Sequence, residues 1–252
     1  MNNVISYQRD GRVAVLGFNA PPANALTTEL VAGIDGALDR ATDESVAVLV
    51  LSSDIPNFFV AGADIKLMQS GDPAVFAGYI RSLRSTVERL PSAPFLSIAA
   101  VNGHALGGGL ELAMACSLRV AGPKAFLGVP EVKLGLLPGA GGTQRLPRLI
   151  GRTAALEMTM TGRSASGHEA LELGLVDRVV DDAAGEAEEW AHELAQGPID
   201  TYRSIIRCID ASHNDFDAGM QIELDAVTTL FASPDGQEGL TAFLEKRRPR
   251  FG

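Results

Sequence analysis

The segment "VNGHALGGGLELAMACS" (101–117) runs three glycines into one carboxylate, Glu111, and then continues almost wholly apolar. If a strand ends near Val101 and a helix begins near Gly108, the glycines let the backbone turn sharply and let another atom approach peptide N–H groups without meeting a Cβ. The unpaired N–H groups of the first helical turn carry partial positive charge, which suits a developing oxyanion. A second carboxylate, Glu131, stands in "FLGVPEVKLGLLPG" between Val129, Val132 and Leu134. Taken singly, Glu111 reads equally well as a first-turn acid favoured by the helix dipole, and Glu131 as an acid exposed at a strand end. Taken together, two acids in apolar settings can be held with separated pKa values, one as base and one as proton donor. A third stretch, "FFVAGADIKLM" (58–68), places Gly62 and Ala63 before Asp64, a helix N-cap type, and Lys66. On its own it reads as a capped helix start with a solvated lysine.

Other chemistry finds little support. "GAGGTQ" breaks the G-x-G-x-x-G fingerprint at its last position, and neither a phosphate-loop nor a G-x-S-x-G motif occurs. His168-Glu169 and His192-Glu193 lack the second histidine of a zinc helix.

These residues need elements to hold them. The pair Asp10-Gly11 suits a hairpin between "VISYQR" and "RVAVLGF". Leu30, Ile34, Leu38 and Ala41 recur at helical spacing before the strand-like "VAVLVLS" (46–52). Phe76, Ile80, Leu83, Val87 and Leu90 repeat that pattern before "APFLSIAAV" (93–101), and a third cycle starts at Gly107. Leu110 and Leu112 to Cys116 leave the third helix apolar nearly all round, the mark of a buried helix. "LRVAGPKAFLGV" reads as a hairpin about Gly122-Pro123. After "LGLVDRVVD" (173–181) come four amphipathic segments near 183–196, 198–211, 215–232 and 235–247. The fold class is therefore α/β, a core over 1–195 with a helical region over 196–252.

Bulk properties narrow the class further. The 252 residues are 46% hydrophobic and 21% charged, as for a globular protein. The formal net charge of -10 argues against sequence-independent binding to nucleic acid or an anionic membrane, despite the basic cluster Lys246, Arg247, Arg248 and Arg250. The apolar stretch 95–116 is broken by Asn102, His104, four glycines and Glu111, so a membrane span is not expected. The opening residues (Asn2, Asn3, Tyr7, Arg9, Asp10) lack signal-peptide grammar, and two distant cysteines, Cys116 and Cys208, suit a reducing cytoplasmic compartment.

"AGADIKLM", "AAVNGHALGGGLELAMACS", "VPEVKLGLLPGAGGTQRLPRLIG", "TGRSASGHEALELGLVDRVV" and "AFLEKRRPRF", in this order, resemble the crotonase (enoyl-CoA hydratase/isomerase) superfamily over essentially the whole chain. The resemblance implies a spiral of repeated β-β-α units, with C-terminal helices used in a homotrimer or dimer of trimers. It implies an acyl-CoA thioester substrate and no cofactor, coenzyme A being part of the substrate. Its oxyanion hole maps onto the N–H groups of Ala63 and Gly108, and its hydratase glutamates onto Glu111 and Glu131. The thioester segment maps onto Ala63, Asp64, Ile65 and Lys66, and a basic position near the CoA phosphates onto Lys246. The implied reaction is reversible addition of water to a 2-enoyl-CoA. Ser117 and His104 depart from the usual family residues, and neither lies on the implied proton path. Rival readings are an isomerase on the same fold, which needs one acid/base carboxylate, and a relative that binds acyl-CoA without turnover.

Overall fold

The computed structural model describes residues 4–69, 72–213 and 215–252, so Asn2 and Asn3 lie outside the described residues. Antiparallel strands β1 (Ile5–Asp10) and β2 (Val13–Phe18) form the expected hairpin, turning at Gly11 with φ +57°. Helix α1 (Thr28–Asp43) buries Leu30, Ile34, Leu38 and Ala41, and Thr27 caps it through the Leu30 N–H. There follow β3 (Val48–Ser53), β4 (Phe58–Val60), α2 (Ile65–Met68), α3 (Pro73–Ser92), β5 (Leu96–Val101), β6 (His104–Leu106) and α4 (Gly108–Ala115). Next come β7 (Leu118–Ala121), β8 (Phe126–Gly128), a 3-10 turn (Pro130–Leu134), α5 (Gly142–Thr161), β9 (Ser164–Ser166), α6 (Gly167–Glu172) and β10 (Arg178–Val179). The four C-terminal helices are α7 (Ala183–Leu194), α8 (Ile199–Ala211), α9 (Phe216–Phe231) and α10 (Pro234–Glu245). They lie where the amphipathic segments predict them. By internal contacts the chain forms two compact units, one running to Ala191 and the other beginning at His192.

The strands build two sheets, in the orders β1-β2-β3-β5-β7-β10 and β4-β6-β8-β9. Each pair β3-β4, β5-β6 and β7-β8 therefore sends one strand to the first sheet and the next to the second before a helix begins. This is a ββα cycle wound three times. It corrects the hairpin expected at Gly122-Pro123: β7 pairs in parallel with β5, whereas β8 pairs with β6 and β9. The Gly122 N–H bonds to the Val101 carbonyl and the Ala125 N–H to the Gly122 carbonyl, so the turn carries the chain from one sheet to the other. A turn dipeptide states that the chain bends; the pairing partners come from elsewhere.

The second sheet was not legible in the sequence, because its strands are three residues long and show no period. His104 belongs to it, its ring stacked between Phe58 and Phe126 at centroid distances of 5.1 and 5.3 Å. Its role is packing across neighbouring strands. Among the described residues no helix is long and apolar enough to cross a membrane.

Asn24 fastens the loop after β2 to both sheets. Fully buried, its Oδ1 accepts from the Ala20 N–H (2.7 Å), and its Nδ2 donates to Ser53 Oγ (2.8 Å) and the Phe59 carbonyl (2.9 Å). Its φ of +54° is one that asparagine tolerates better than most residues. Asn24→Ala strands buried partners in three places, and a loss of about 3 kcal/mol is expected from unsatisfied polar groups. Urea denaturation would show it as a lowered midpoint at unchanged m-value.

Candidate active site

The turn into α4 is made by Gly107, at φ +52° and ψ -123°. A Cβ there would stand 2.7 Å from Glu131 Oε1, so the missing side chain is the space that the second carboxylate occupies. Two residues on, a Cβ at Gly109 would meet the Val60 carbonyl oxygen at 2.1 Å, and α4 can lie directly on the main chain of β4 only with glycine here. The first-turn amides of α4 have no acceptor within the helix.

Beside them runs the turn 62–64. Leu26 and Ala63 form an isolated parallel bridge, in which the Leu26 N–H donates to the Gly62 carbonyl (2.8 Å). In such a ladder residues 62 and 64 face Leu26, and the N–H of Ala63 faces away. It faces the start of α4: the Ala63 nitrogen lies 3.8 Å from the point where a Cβ of Gly108 would be. Two main-chain segments 45 residues apart thus bring amide donors to one place.

Glu111 is 2% exposed in a helix buried along its whole length. Burial raises its pKa above the usual carboxylate value, opposed by two amides: the N–H groups of Gly142 (2.7 Å) and Ala140 (2.8 Å) both donate to Oε1. Gly142 opens α5, so a second helix N-terminus faces this charge, and the Arg145 guanidinium lowers the pKa further. Glu131, in the 3-10 turn after β8, lacks such support. Burial, with the negative field of Glu111 adding to it, pushes its pKa up to about 7, against a pull from its own backbone N–H. Its Oε2 is buried and meets no hydrogen-bond donor among the described residues. The pair is therefore asymmetric: burial raises both acids, but amides at the mouth of another helix and a guanidinium oppose it at Glu111, whereas only its own backbone N–H opposes it at Glu131.

Of the residues singled out from the sequence, Ala63, Gly108, Glu111 and Glu131 surround this one site. Asp64 caps α2, accepting from the N–H groups of Lys66 (3.0 Å) and Leu67 (3.4 Å), while Ile65 and Lys66 are exposed on that short helix. Lys246 lies in the second unit, where it ends α10 at φ +57°. Leu83 is buried with a methyl 3.5 Å from the Cβ position of Gly108, and an Ile80 methyl lies 3.6 Å from where a Cβ of Gly139 would be, so one face of α3 walls the site. Three contributors were missed in the sequence. The amides of Ala140 and Gly142 lie in a glycine run read only as a failed nucleotide fingerprint, and Tyr79 falls beside the apolar stripe without belonging to it. Among the described residues no cluster of three or more His, Cys, Asp or Glu is arranged to hold a metal ion.

Comparison with known proteins gives a consistent set of relatives. A family model described as enoyl-CoA hydratase/isomerase matches residues 8–252. A probable enoyl-CoA hydratase of Bacillus subtilis is 40% identical over 99% of this chain and 98% of its own. A crotonyl-CoA hydratase of Syntrophomonas wolfei is 40% identical over 98% and 97%. The crystal structure of an enoyl-CoA hydratase from Bacillus anthracis superposes with a TM-score of 0.92 at 36% identity, covering 98% of each chain.

The raised pKa of Glu131 has a thermodynamic consequence. Between the ordinary value of 4.5 and about 7 the folded state holds a proton that the unfolded state has released, so this residue costs stability as pH rises through that window. Glu131→Gln abolishes the cost. Its melting temperature relative to the unsubstituted protein is expected to climb from pH 4.5 to 7 and then level off, and a difference independent of pH would contradict the assigned shift.

Proposed function

Since the chain belongs to the enoyl-CoA hydratase/isomerase family, we propose that it is a hydro-lyase, an enoyl-CoA hydratase that adds water reversibly to 2-enoyl-CoA thioesters to give 3-hydroxyacyl-CoA. The observation that carries this reading is that the half-buried Glu131 carboxylate lies against Gly107, at the start of the helix that carries the buried Glu111, near enough for the charge of Glu111 to act on it, and beside the amides of Ala63 and Gly108. An isomerase needs one such acid; here both are present and electrostatically coupled.

A conjugated thioester is a weak electrophile at C3 until charge can build on its carbonyl oxygen. The N–H groups of Ala63 and Gly108 form an oxyanion hole that stabilises this charge in a buried setting, where each donor matters more than in water. Glu111, ionised and fixed by Ala140 and Gly142, orients the water and takes its proton as oxygen bonds to C3. Glu131, protonated, delivers its proton to C2. In dehydration the two roles exchange.

Coenzyme A enters as part of the substrate, and this chemistry requires no separate cofactor. Asp64, Ile65 and Lys66 would flank the thioester arm, while Ile80 and Leu83 wall the acyl chain. The proposal includes assembly as a homotrimer or dimer of trimers, supported by the apolar surface of the second unit: Phe216, Phe231, Phe243 and Leu244 are each more than half exposed. A cytoplasmic location belongs to the same reading, supported by the free thiols of Cys116 and Cys208.

The test is spectroscopic. Incubation with a 2-enoyl-CoA should remove the absorption of the conjugated thioester; its appearance from a 3-enoyl-CoA, without hydration, would favour the isomerase. Glu111→Gln and Glu131→Gln are each expected to lower kcat by about a thousandfold or more while acyl-CoA still binds. Unchanged turnover in either variant rejects that residue's role.

The pair works with one proton between its members. As pH rises through about 7 that proton is lost from Glu131, so kcat/KM should fall above this pH. Hydration exchanges no net proton, hence the same descending limb is expected for dehydration. A profile flat from pH 6 to 9 would exclude the assignment.

A further inference from the structure

The hydroxyl of Tyr79 reinforces the bridge that aims Ala63. In the parallel bridge between Leu26 and Ala63 the Asp64 N–H is directed toward the Leu26 carbonyl. The Asp64 N–H donates to Tyr79 Oη (3.1 Å), and Tyr79 Oη donates to the Leu26 carbonyl (2.7 Å). The phenol oxygen thus links these two main-chain groups as a hydrogen-bonded spacer. Its ring comes from the middle of α3 and is 7% exposed, locked among the core residues.

The position of this spacer matters because of what lies on either side. On one side, Gly62 holds φ +107° and its amide plane is tied to Leu26. On the other, Asp64 begins the cap of α2. The Gly62–Ala63 peptide carries the Ala63 N–H on one edge and, on the other, the carbonyl that the Leu26 N–H holds. Tyr79 holds the next peptide by the Asp64 N–H and holds Leu26 by its carbonyl, so it acts on the Ala63 N–H through the two segments it ties together.

Resting on the hydratase reading, we propose that Tyr79 is a positioning residue for the oxyanion hole: its hydroxyl sets the aim of the Ala63 N–H at the thioester oxygen without touching the substrate. Only a group that accepts and donates on the same atom can take this place. Phenylalanine keeps the ring and its packing but removes the link between the Asp64 N–H and the Leu26 carbonyl, so the Leu26 segment that holds the Gly62 carbonyl is freer to shift, and the Ala63 N–H with it. Serine or threonine at this point of α3 would fall short of the ladder.

The experiment uses the full chain and Tyr79→Phe with a cinnamoyl-CoA carrying a para-amino donor, whose absorption moves to longer wavelength as its carbonyl is polarised. The unsubstituted protein should red-shift the bound chromophore. Tyr79→Phe should bind it with similar affinity and give less than about half that shift, and with a 2-enoyl-CoA its kcat should fall roughly ten- to a hundredfold at nearly constant KM, somewhat less than removal of a whole oxyanion donor. A full red shift with unchanged kcat, or a loss confined to KM, overturns the inference and leaves the hydratase reading standing. An unsubstituted protein that neither binds nor shifts the chromophore overturns both. If Tyr79→Phe does not fold, 3,5-difluorotyrosine placed at position 79 keeps ring and hydroxyl while weakening the oxygen as acceptor: a smaller red shift than with tyrosine supports the inference, and an identical one overturns it.

Discussion

Glu111 carries a carboxylate into a helix that is apolar on every other side, and the cost of burying that group dictates much of what surrounds it. An ionised carboxylate far from water is tolerable only where donors replace its hydration. Here they are the main-chain N–H groups of Ala140 and Gly142 at the mouth of α5. This arrangement explains why the loop 139–142 is so rich in glycine: a Cβ on Gly142 would stand 3.0 Å from Glu111 Oε1 and 2.6 Å from a Pro138 carbon. The packing of α5 against α4 and the environment of the Glu111 carboxylate are one interaction seen from two sides.

The site is built mostly from main chain. Peptide groups at 63, 108, 140 and 142 supply its donors, and all four lie where a strand or loop hands over to a helix. The ββα winding makes this possible by ending successive strands of both sheets beside successive helix N-termini. Asn24 and Tyr79 each tie main-chain groups of separate segments together with a side chain that accepts and donates at once. Such donors are preorganised, because reorienting them means moving whole elements of the fold.

The two glutamates show how environment separates identical groups. Glu111 is buried and Glu131 half-buried; the first faces amide donors and a guanidinium, and the second faces the first one's charge. The Oε2 of Glu131 completes the contrast: it is buried and meets no donor among the described residues. One proton held unequally by two acids is what addition of water across a double bond requires.

Periodicity along the chain determined a good part of this protein. The apolar spacing of α1 and α3, the all-round burial of α4, the hairpin at Gly11 and the four C-terminal helices were each legible, because each depends on residues a few positions apart. The quoted motifs also marked Ala63, Gly108, Glu111 and Glu131 as belonging together, though the residues alone left each glutamate open to a bland reading. Tertiary structure decided the rest. It sent β8 to a second sheet against the hairpin reading, formed that sheet from strands too short to show a period, and chose Ala140, Gly142 and Tyr79 as supports. The physical reason is that every residue but proline carries a backbone N–H, so no side-chain pattern announces which amide will donate. That choice is made only when distant segments meet.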